Sequence, residues 1–182
     1  RTCARIHFFD LDFNSAEFDG LLKGKSKKLT EAILNKGYIG FVVVKPLPTT
    51  IIGRTCLRTY DGKGRNFPIT RDYSASLFGI NLTVKSIAFQ EQDTVAAACA
   101  TSALWSAFHC TGEVFHHYIP SPVEITKAAK VGSIELSRVL PSKGLTYPEL
   151  AQGIRAVGLE PLIVGGGANR HALSSTVYAY LK

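Results

Sequence analysis

The hydrophobic pattern in the first half of the chain is that of β-strands separated by turns. Residues 81–89 alternate polar and apolar side chains, which predicts a strand with one buried face. A short helix over residues 29–36, ended by a left-handed Gly37, is predicted upstream. The predicted strands are 38–44, 51–60, a short partner at 67–70, and 81–89, with a loop around Ser74 and Gly79 before the last. Several short strands divided by turn signals predict a twisted antiparallel sheet rather than a βαβ layer.

Beyond about residue 90 the hydrophobic spacing becomes helical. Residues 94–109 are rich in Ala and large apolar side chains and carry few charges, which predicts a helix buried on all sides. The sequences Ser-Pro-Val-Glu at 121–124 and Thr-Tyr-Pro-Glu at 146–149 are capping boxes with a proline in the first turn. They predict one helix that runs to residue 129 and is stopped by Gly132, and a second that runs to residue 157. The remaining predicted elements are a strand at 159–164, a flexible turn at Gly165 to Gly167 and a helix at 170–181.

Composition narrows the class of protein. A chain of 182 residues with 46% hydrophobic side chains can bury a core without disulfides, which excludes disordered and disulfide-rich classes. The change of pattern at Gln90 predicts an α+β protein with an antiparallel β-rich portion at 1–89 and a helical portion at 90–182. No apolar run approaches the roughly 18 residues of a membrane helix. We therefore expect a cytoplasmic protein with reduced cysteines and no membrane partner. The absence of Met suggests a processed chain or a fragment.

The net charge of +7, from 21 basic and 14 acidic side chains, raises the question of a nucleic-acid partner. The densest basic run lies at 23–28 and contains no aromatic residue on which bases could stack. A solvated loop is therefore favoured over a nucleic-acid interface. The pattern does not indicate an oligomeric state.

The segment around Cys99 carries the clearest candidate chemistry. Gln90 and Gln92 precede this cysteine, and an Ala-rich helix follows it. The start of a helix favours a thiolate, and a glutamine amide can donate to an oxyanion together with a backbone N–H. The alternative is a cysteine packed in the core, since propensity alone would start the helix at Thr94, capped by Asp93.

The same segment resembles the active-site helix of papain-like cysteine peptidases, including the smaller bacterial bacteriocin-processing variants. The resemblance implies that Cys99 is the nucleophile and Gln92 the oxyanion residue, with Gln90 as its substitute. It implies hydrolysis of a peptide or protein substrate, or acyl transfer, without a cofactor. Residues 144–150 and 154–159 are similar to the helix and Gly-Leu strand of the bacterial enzymes.

The sequence also departs from the family. Trp105 lies six residues after Cys99 instead of directly after it, and the separation from Gln92 to Cys99 is one residue longer than in papain. The catalytic His of papain-type enzymes follows the Cys by roughly 130–150 residues, whereas 83 residues (182 minus 99) follow it here. His171 is a superficial match, in a segment predicted to be helical. The resemblance thus implies a chain truncated before its base, or a non-catalytic peptide- or protein-binding module on the same scaffold.

Metal binding is the other chemistry to consider. Five potential soft ligands fall within nineteen residues: Cys99, His109, Cys110, His116 and His117. Their spacing does not match the paired ligands of structural zinc sites, so no metal centre is predicted. Cys3 and Cys56 lie in apolar, strand-like surroundings and are interpreted as packing residues.

Overall fold

Strands dominate the first half of the protein and helices the second, which confirms the α+β prediction. The computed structural model describes residues 2–60, 62–67, 69–91, 99–131 and 144–164, with the single positions 174 and 179. The elements are β1 (Ala4–Phe9), α1 (Ser15–Leu22), α2 (Glu31–Lys36), β2 (Tyr38–Val44), β3 (Ile52–Leu57), β4 (Arg71–Leu77), β5 (Ile80–Ser86), α3 (Cys99–Phe115), α4 (Pro122–Ala129) and α5 (Tyr147–Arg155). The predicted turn at Gly165 to Gly167 lies outside the described residues. So does most of the predicted last helix, of which Ser174 and Ala179 are described and helical.

The described strands form two antiparallel sheets. β2 lies between β1 and β3 in a three-stranded sheet, and β4 pairs with β5 in a separate hairpin. The antiparallel prediction is confirmed. The strand predicted at 67–70 was wrong for its described residues, 67, 69 and 70, which are not in a strand, and the loop at Ser74 was wrong because Ser74 lies within β4. β4 alternates small polar residues with Tyr73 and Ala75, which are buried. Serines on the solvent side of a strand resemble a loop in composition, although the alternation is that of a strand.

The core lies between the two sheets and helix α3. Alternate residues of β5 are buried, and they meet Phe41 of β2 and Trp105 of α3 in one cluster. Cys56 of β3 is fully buried in this cluster, which confirms its packing role. Cys3 is exposed, so the packing interpretation was wrong there, because β1 begins only at the following residue.

Helix α2 ends differently from the prediction. Gly37 has φ −83° and ψ −1°, a right-handed conformation, so the left-handed helix stop was wrong. A Cβ at this position would lie 2.9 Å from the Cβ of Leu11. The chain before α1 also approaches closely, since the backbone N–H of Asp10 donates to the Gly37 carbonyl at 2.7 Å. Glycine is needed here for space rather than for a positive φ.

Helix α3 is buried on one side only. Its buried residues are Thr101, Ser102, Trp105, Phe108, His109 and Gly112, a stripe at the three- and four-residue spacing of one helix face. Ala103 and Ala107 on the other side are exposed. The prediction of burial on all sides was wrong because alanine counts as hydrophobic in composition but tolerates water. The helix also continues beyond the predicted end, to Phe115.

The strand predicted at 159–164 was also wrong. These residues are described and have no regular structure, and Leu162, Ile163 and Val164 are exposed. β-Branched residues favour a strand only where a neighbouring strand accepts their hydrogen bonds. Among the described residues no strand pairs with this segment.

Both capping boxes are present. The Ser121 side chain accepts from the N–H of Glu124 at 3.3 Å, and the Glu124 carboxylate accepts from the N–H of Ser121 at 2.7 Å. Thr146 and Glu149 repeat this arrangement at α5. α4 ends at the predicted residue, while α5 ends at Arg155, two residues earlier than predicted. Gly132, the predicted stop of α4, lies outside the described residues.

Replacing the cap serine should weaken α4 measurably. We expect Ser121→Ala to lower the free energy of unfolding by about 1 kcal/mol, because the N–H of Glu124 loses its acceptor. Ser74→Ala, at an exposed position of β4, is the matched control and should change stability by less than about 0.5 kcal/mol. Urea unfolding followed by circular dichroism measures both values. Equal stabilities of the two variants would contradict a working cap.

Candidate functional site

The chain approaches the candidate nucleophile along the edge of β3. The N–H and carbonyl of Phe89 form hydrogen bonds with Thr55, at 3.0 and 2.7 Å. The Glu91 N–H donates to the carbonyl of Ile52, whose own N–H donates to the Glu91 carboxylate at 2.8 Å. These bonds hold the segment before α3 against the three-stranded sheet.

Helix α3 is fixed against the same sheet by Trp105. The indole is buried, and the guanidinium of Arg54 on β3 lies 5.5 Å from the centre of its ring. Arginine over an aromatic face is attractive because the ring face is electron-rich. The first turns of α3 and the segment at Gln90 are thus both positioned by β3.

Cys99 is exposed, and it is the first residue of α3 among those that the structure describes. The alternative of a cysteine packed in the core was therefore wrong. An exposed thiol at this place can be reached by a substrate or by a reagent. Gln92 and the competing helix start at Thr94 lie outside the described residues.

Gln90 reaches the first turn of this helix. Its side-chain N–H donates to the hydroxyl oxygen of Ser102 at 3.3 Å. Ser102 follows Cys99 by three residues, so both lie on the same side of the helix. The amide group has two N–H bonds, and the contact with Ser102 uses one of them. Sequence reasoning missed Ser102, although its spacing from Cys99 would have indicated it.

The described histidines lie elsewhere. His109 follows Cys99 by ten residues, about 15 Å along the helix axis, and its ring contacts Tyr73 at 3.1 Å. Burial, together with the nearby charges of Arg54 and Arg71, lowers the pKa of His109 to about 4. His7 on β1 forms a hydrogen bond with Tyr38. His171, the candidate base from the sequence, lies outside the described residues.

The other cysteines differ from Cys99 in their surroundings. Burial raises the pKa of Cys56 to about 11. Burial also raises the pKa of Cys110, which is partly exposed. Thiols with a raised pKa react slowly at neutral pH because the thiolate is the nucleophile. Cys3 is exposed like Cys99 and lies outside any helix. Its rate of reaction is therefore the reference against which that of Cys99 can be compared.

The possible metal ligands are not assembled into one site. His109 faces Tyr73, whereas the ring of His117 contacts Thr111 at 2.7 Å and the Tyr118 carbonyl at 2.6 Å. In the part of the chain that the structure describes, no group of three or more His, Cys, Asp or Glu side chains could hold a metal ion. His109 and His117 instead form separate packing and hydrogen-bonding contacts.

The chain matches no protein-family model, no curated protein and no solved structure. Assignment of function therefore depends on the residues and their geometry.

Two further observations bear on partners. Across the described ranges, no helix has the length and apolarity needed to cross a membrane. In the basic run 23–28, Lys28 forms an ion pair with Glu17.

Proposed function

We propose that the protein is a cysteine peptidase-like enzyme that hydrolyses or transfers the acyl group of a peptide or protein substrate through Cys99. The observation that carries the proposal is the exposure of Cys99 on the helix turn to which the Gln90 amide is bonded. A reactive sulfur needs an accessible position and a hydrogen-bond donor close by. Both requirements are supported by the arrangement at the start of α3.

The proposed reaction follows from these groups. The Cys99 thiolate attacks the carbonyl carbon of the substrate, a C–S bond forms, and the carbonyl oxygen becomes an oxyanion. The side-chain amide of Gln92, or of Gln90 as its substitute, donates to this oxyanion together with the Cys99 backbone N–H. The amine leaves with a proton from the general acid, and water or a second amine takes the acyl group from sulfur. His171 is the candidate acid and base within the sequence.

Thiol alkylation tests this proposal without a known substrate. At pH 6.5 we expect iodoacetamide to modify Cys99 at least about tenfold faster than Cys3, because an activated nucleophile reacts faster than an ordinary exposed thiol. Peptide mapping by mass spectrometry gives the rate at each cysteine. Cys3→Ser should leave the fast phase intact, and Cys99→Ser should remove it. Equal rates at Cys3 and Cys99 would contradict the proposal.

A non-catalytic peptide- or protein-binding module is the second candidate. It is favoured by the positions of the four described histidines, since three of them lie at or beyond the tenth residue after Cys99 and His7 is bonded to Tyr38. A binding module would retain affinity for a peptide in the Cys99→Ser variant and would form no thioester with an activated acyl donor. If the protein is an enzyme, an activated acyl donor should form a covalent acyl adduct on Cys99, which intact-mass measurement detects.

A further inference from the structure

A second concave site lies at the far end of α3. It has a volume of about 430 Å³ and lies between β4 and the end of the helix, with Arg71, Glu113, His116 and Ile119 in its lining. This volume falls within the range of small-molecule sites. The 17 residues of α3 place the pocket about 25 Å from Cys99. It is therefore separate from the candidate active site.

The walls of this pocket are held in place by specific contacts. His116 has φ +56°, a left-handed conformation that turns the chain back along α3. A Cβ on Gly112 would lie 2.9 Å from Ile119, so glycine allows the returning segment to pack closely. The His117 ring bridges Thr111 and the Tyr118 carbonyl. Left-handed non-glycine residues are strained and concentrate at functional sites.

Arg71 and His116 line the pocket and carry N–H groups to which no described residue forms a hydrogen bond. Arg71 forms an ion pair with Glu113 through Nε at 3.7 Å, a separation too long for a hydrogen bond. Within the described ranges, neither the Arg71 guanidinium nor the His116 ring has a hydrogen-bond partner. A guanidinium presents parallel N–H groups that match the two oxygens of a carboxylate.

We propose that this pocket binds the carboxylate group of a ligand, between Arg71 and His116, with the apolar part of the ligand against Ile119. The charge balance favours a carboxylate over a phosphate. Arg71 contributes one positive charge and Glu113 one negative charge, and both line the pocket. A phosphate carries nearly two negative charges at neutral pH and is repelled by Glu113 more strongly than a carboxylate is. The carboxylate belongs either to a small organic acid or to the end of a peptide chain.

Calorimetric titration of the Cys99→Ser variant tests the proposal without interference from thiol chemistry. The probes are N-acetyl-leucine, its amide, acetate and inorganic phosphate. We expect N-acetyl-leucine to bind saturably and at least about tenfold more tightly than its amide, since a charge-assisted hydrogen bond is lost in the amide. If acetate binds as tightly as N-acetyl-leucine, the natural ligand is a small acid. If acetate binds more weakly, the ligand is larger, such as the end of a peptide chain. Tighter binding of phosphate, or equal binding of acid and amide, overturns the proposal.

Substitutions then locate the site. Arg71→Gln should weaken N-acetyl-leucine binding at least about tenfold, and His116→Asn, which tolerates the left-handed conformation, should weaken it several-fold. The matched control is Arg65→Gln, because Arg65 stacks on Tyr60 away from the pocket. Unchanged binding in Arg71→Gln and His116→Asn, with both variants folded by circular dichroism, overturns the assignment. His116→Asn keeps the test decisive if Arg71→Gln fails to fold.

Discussion

Gly40→Ala should destabilise the protein by about 3 kcal/mol or more, a value at the upper end of what most single substitutions cost. Gly40 lies in the central strand β2, opposite Phe8 of β1 and Leu57 of β3. Its φ is +131°, and an added Cβ would lie 2.0 Å from the carbonyl oxygen of Cys56. Real Cβ atoms do not approach an oxygen this closely, so β2 and β3 would have to separate. A loss of this size is a large fraction of the stability of a typical domain.

A substitution at Gly79 measures the cost of a positive φ without a clash, for comparison with Gly40→Ala. Gly79, in the turn between β4 and β5, has φ +92° with nothing within 4 Å of an added Cβ. Gly79→Ala should therefore cost about 1 kcal/mol, from the strained φ alone. Urea unfolding of both variants gives the comparison. Similar losses in Gly40→Ala and Gly79→Ala would show that the close contact between β2 and β3 has no energetic weight.

The features that the sequence predicted correctly depend on residues close together along the chain. The capping boxes at α4 and α5 are local, because a serine or threonine and a glutamate three residues later complete each one. Strand β2 has the predicted bounds because its β-branched run and the prolines after it are also local signals. Gly37 and Gly40 are different. Their need for glycine comes from Leu11 and Cys56, which only the folded chain brings close.

The candidate site also combines features that the sequence predicted with features that only the folded chain determines. The sequence indicated Cys99 and Gln90 from the order of residue types, but it could not decide whether the thiol is buried, because an Ala-rich helix fits a core and a surface equally well. The pairing of Gln90 with Ser102 depends on the contacts of residues 89 and 91 with β3. The pocket at Arg71 depends on a contact between β4 and α3 that no periodicity predicts.

The stability of the protein should fall as the pH drops from about 6.5 to 4, and His109 should account for most of that fall. Its ring is buried and packs edge-on against Trp105, with ring centres 4.4 Å apart. The Ala88 N–H donates to the Tyr73 hydroxyl oxygen, so the hydroxyl proton is free to bond to Nδ1 of His109. Nε2 has no hydrogen-bond partner in the described part of the chain. Nε2 therefore carries the single proton of the neutral ring, and a second proton would have to go on Nδ1, where it would displace the hydrogen bond from the Tyr73 hydroxyl.

The direction and size of this pH effect follow from the pKa of His109 in the folded and unfolded protein. Burial lowers the pKa of His109 to about 4 in the folded protein, from 6.5 when unfolded. Between these values the unfolded chain binds more protons, so acid favours unfolding, and the full effect is about 3 kcal/mol. Burial also lowers the pKa of His7, which adds a smaller loss of the same sign. Hydrogen bonds lower the pKa of Glu17 and Glu124, so these carboxylates reduce stability only as the pH falls to about their ordinary pKa of 4.5 and below.

Urea unfolding at half-unit steps from pH 7 to 4.5 measures this dependence. In His109→Gln the decline in unfolding free energy across this range should be less than half of that in the unchanged protein, because the substituted side chain does not titrate. His7→Gln is the matched control and should retain most of the decline. The slope is the decisive quantity, so a general loss of stability in His109→Gln does not affect the comparison. An unchanged slope in His109→Gln would show that the buried imidazole does not govern the acid sensitivity of the fold.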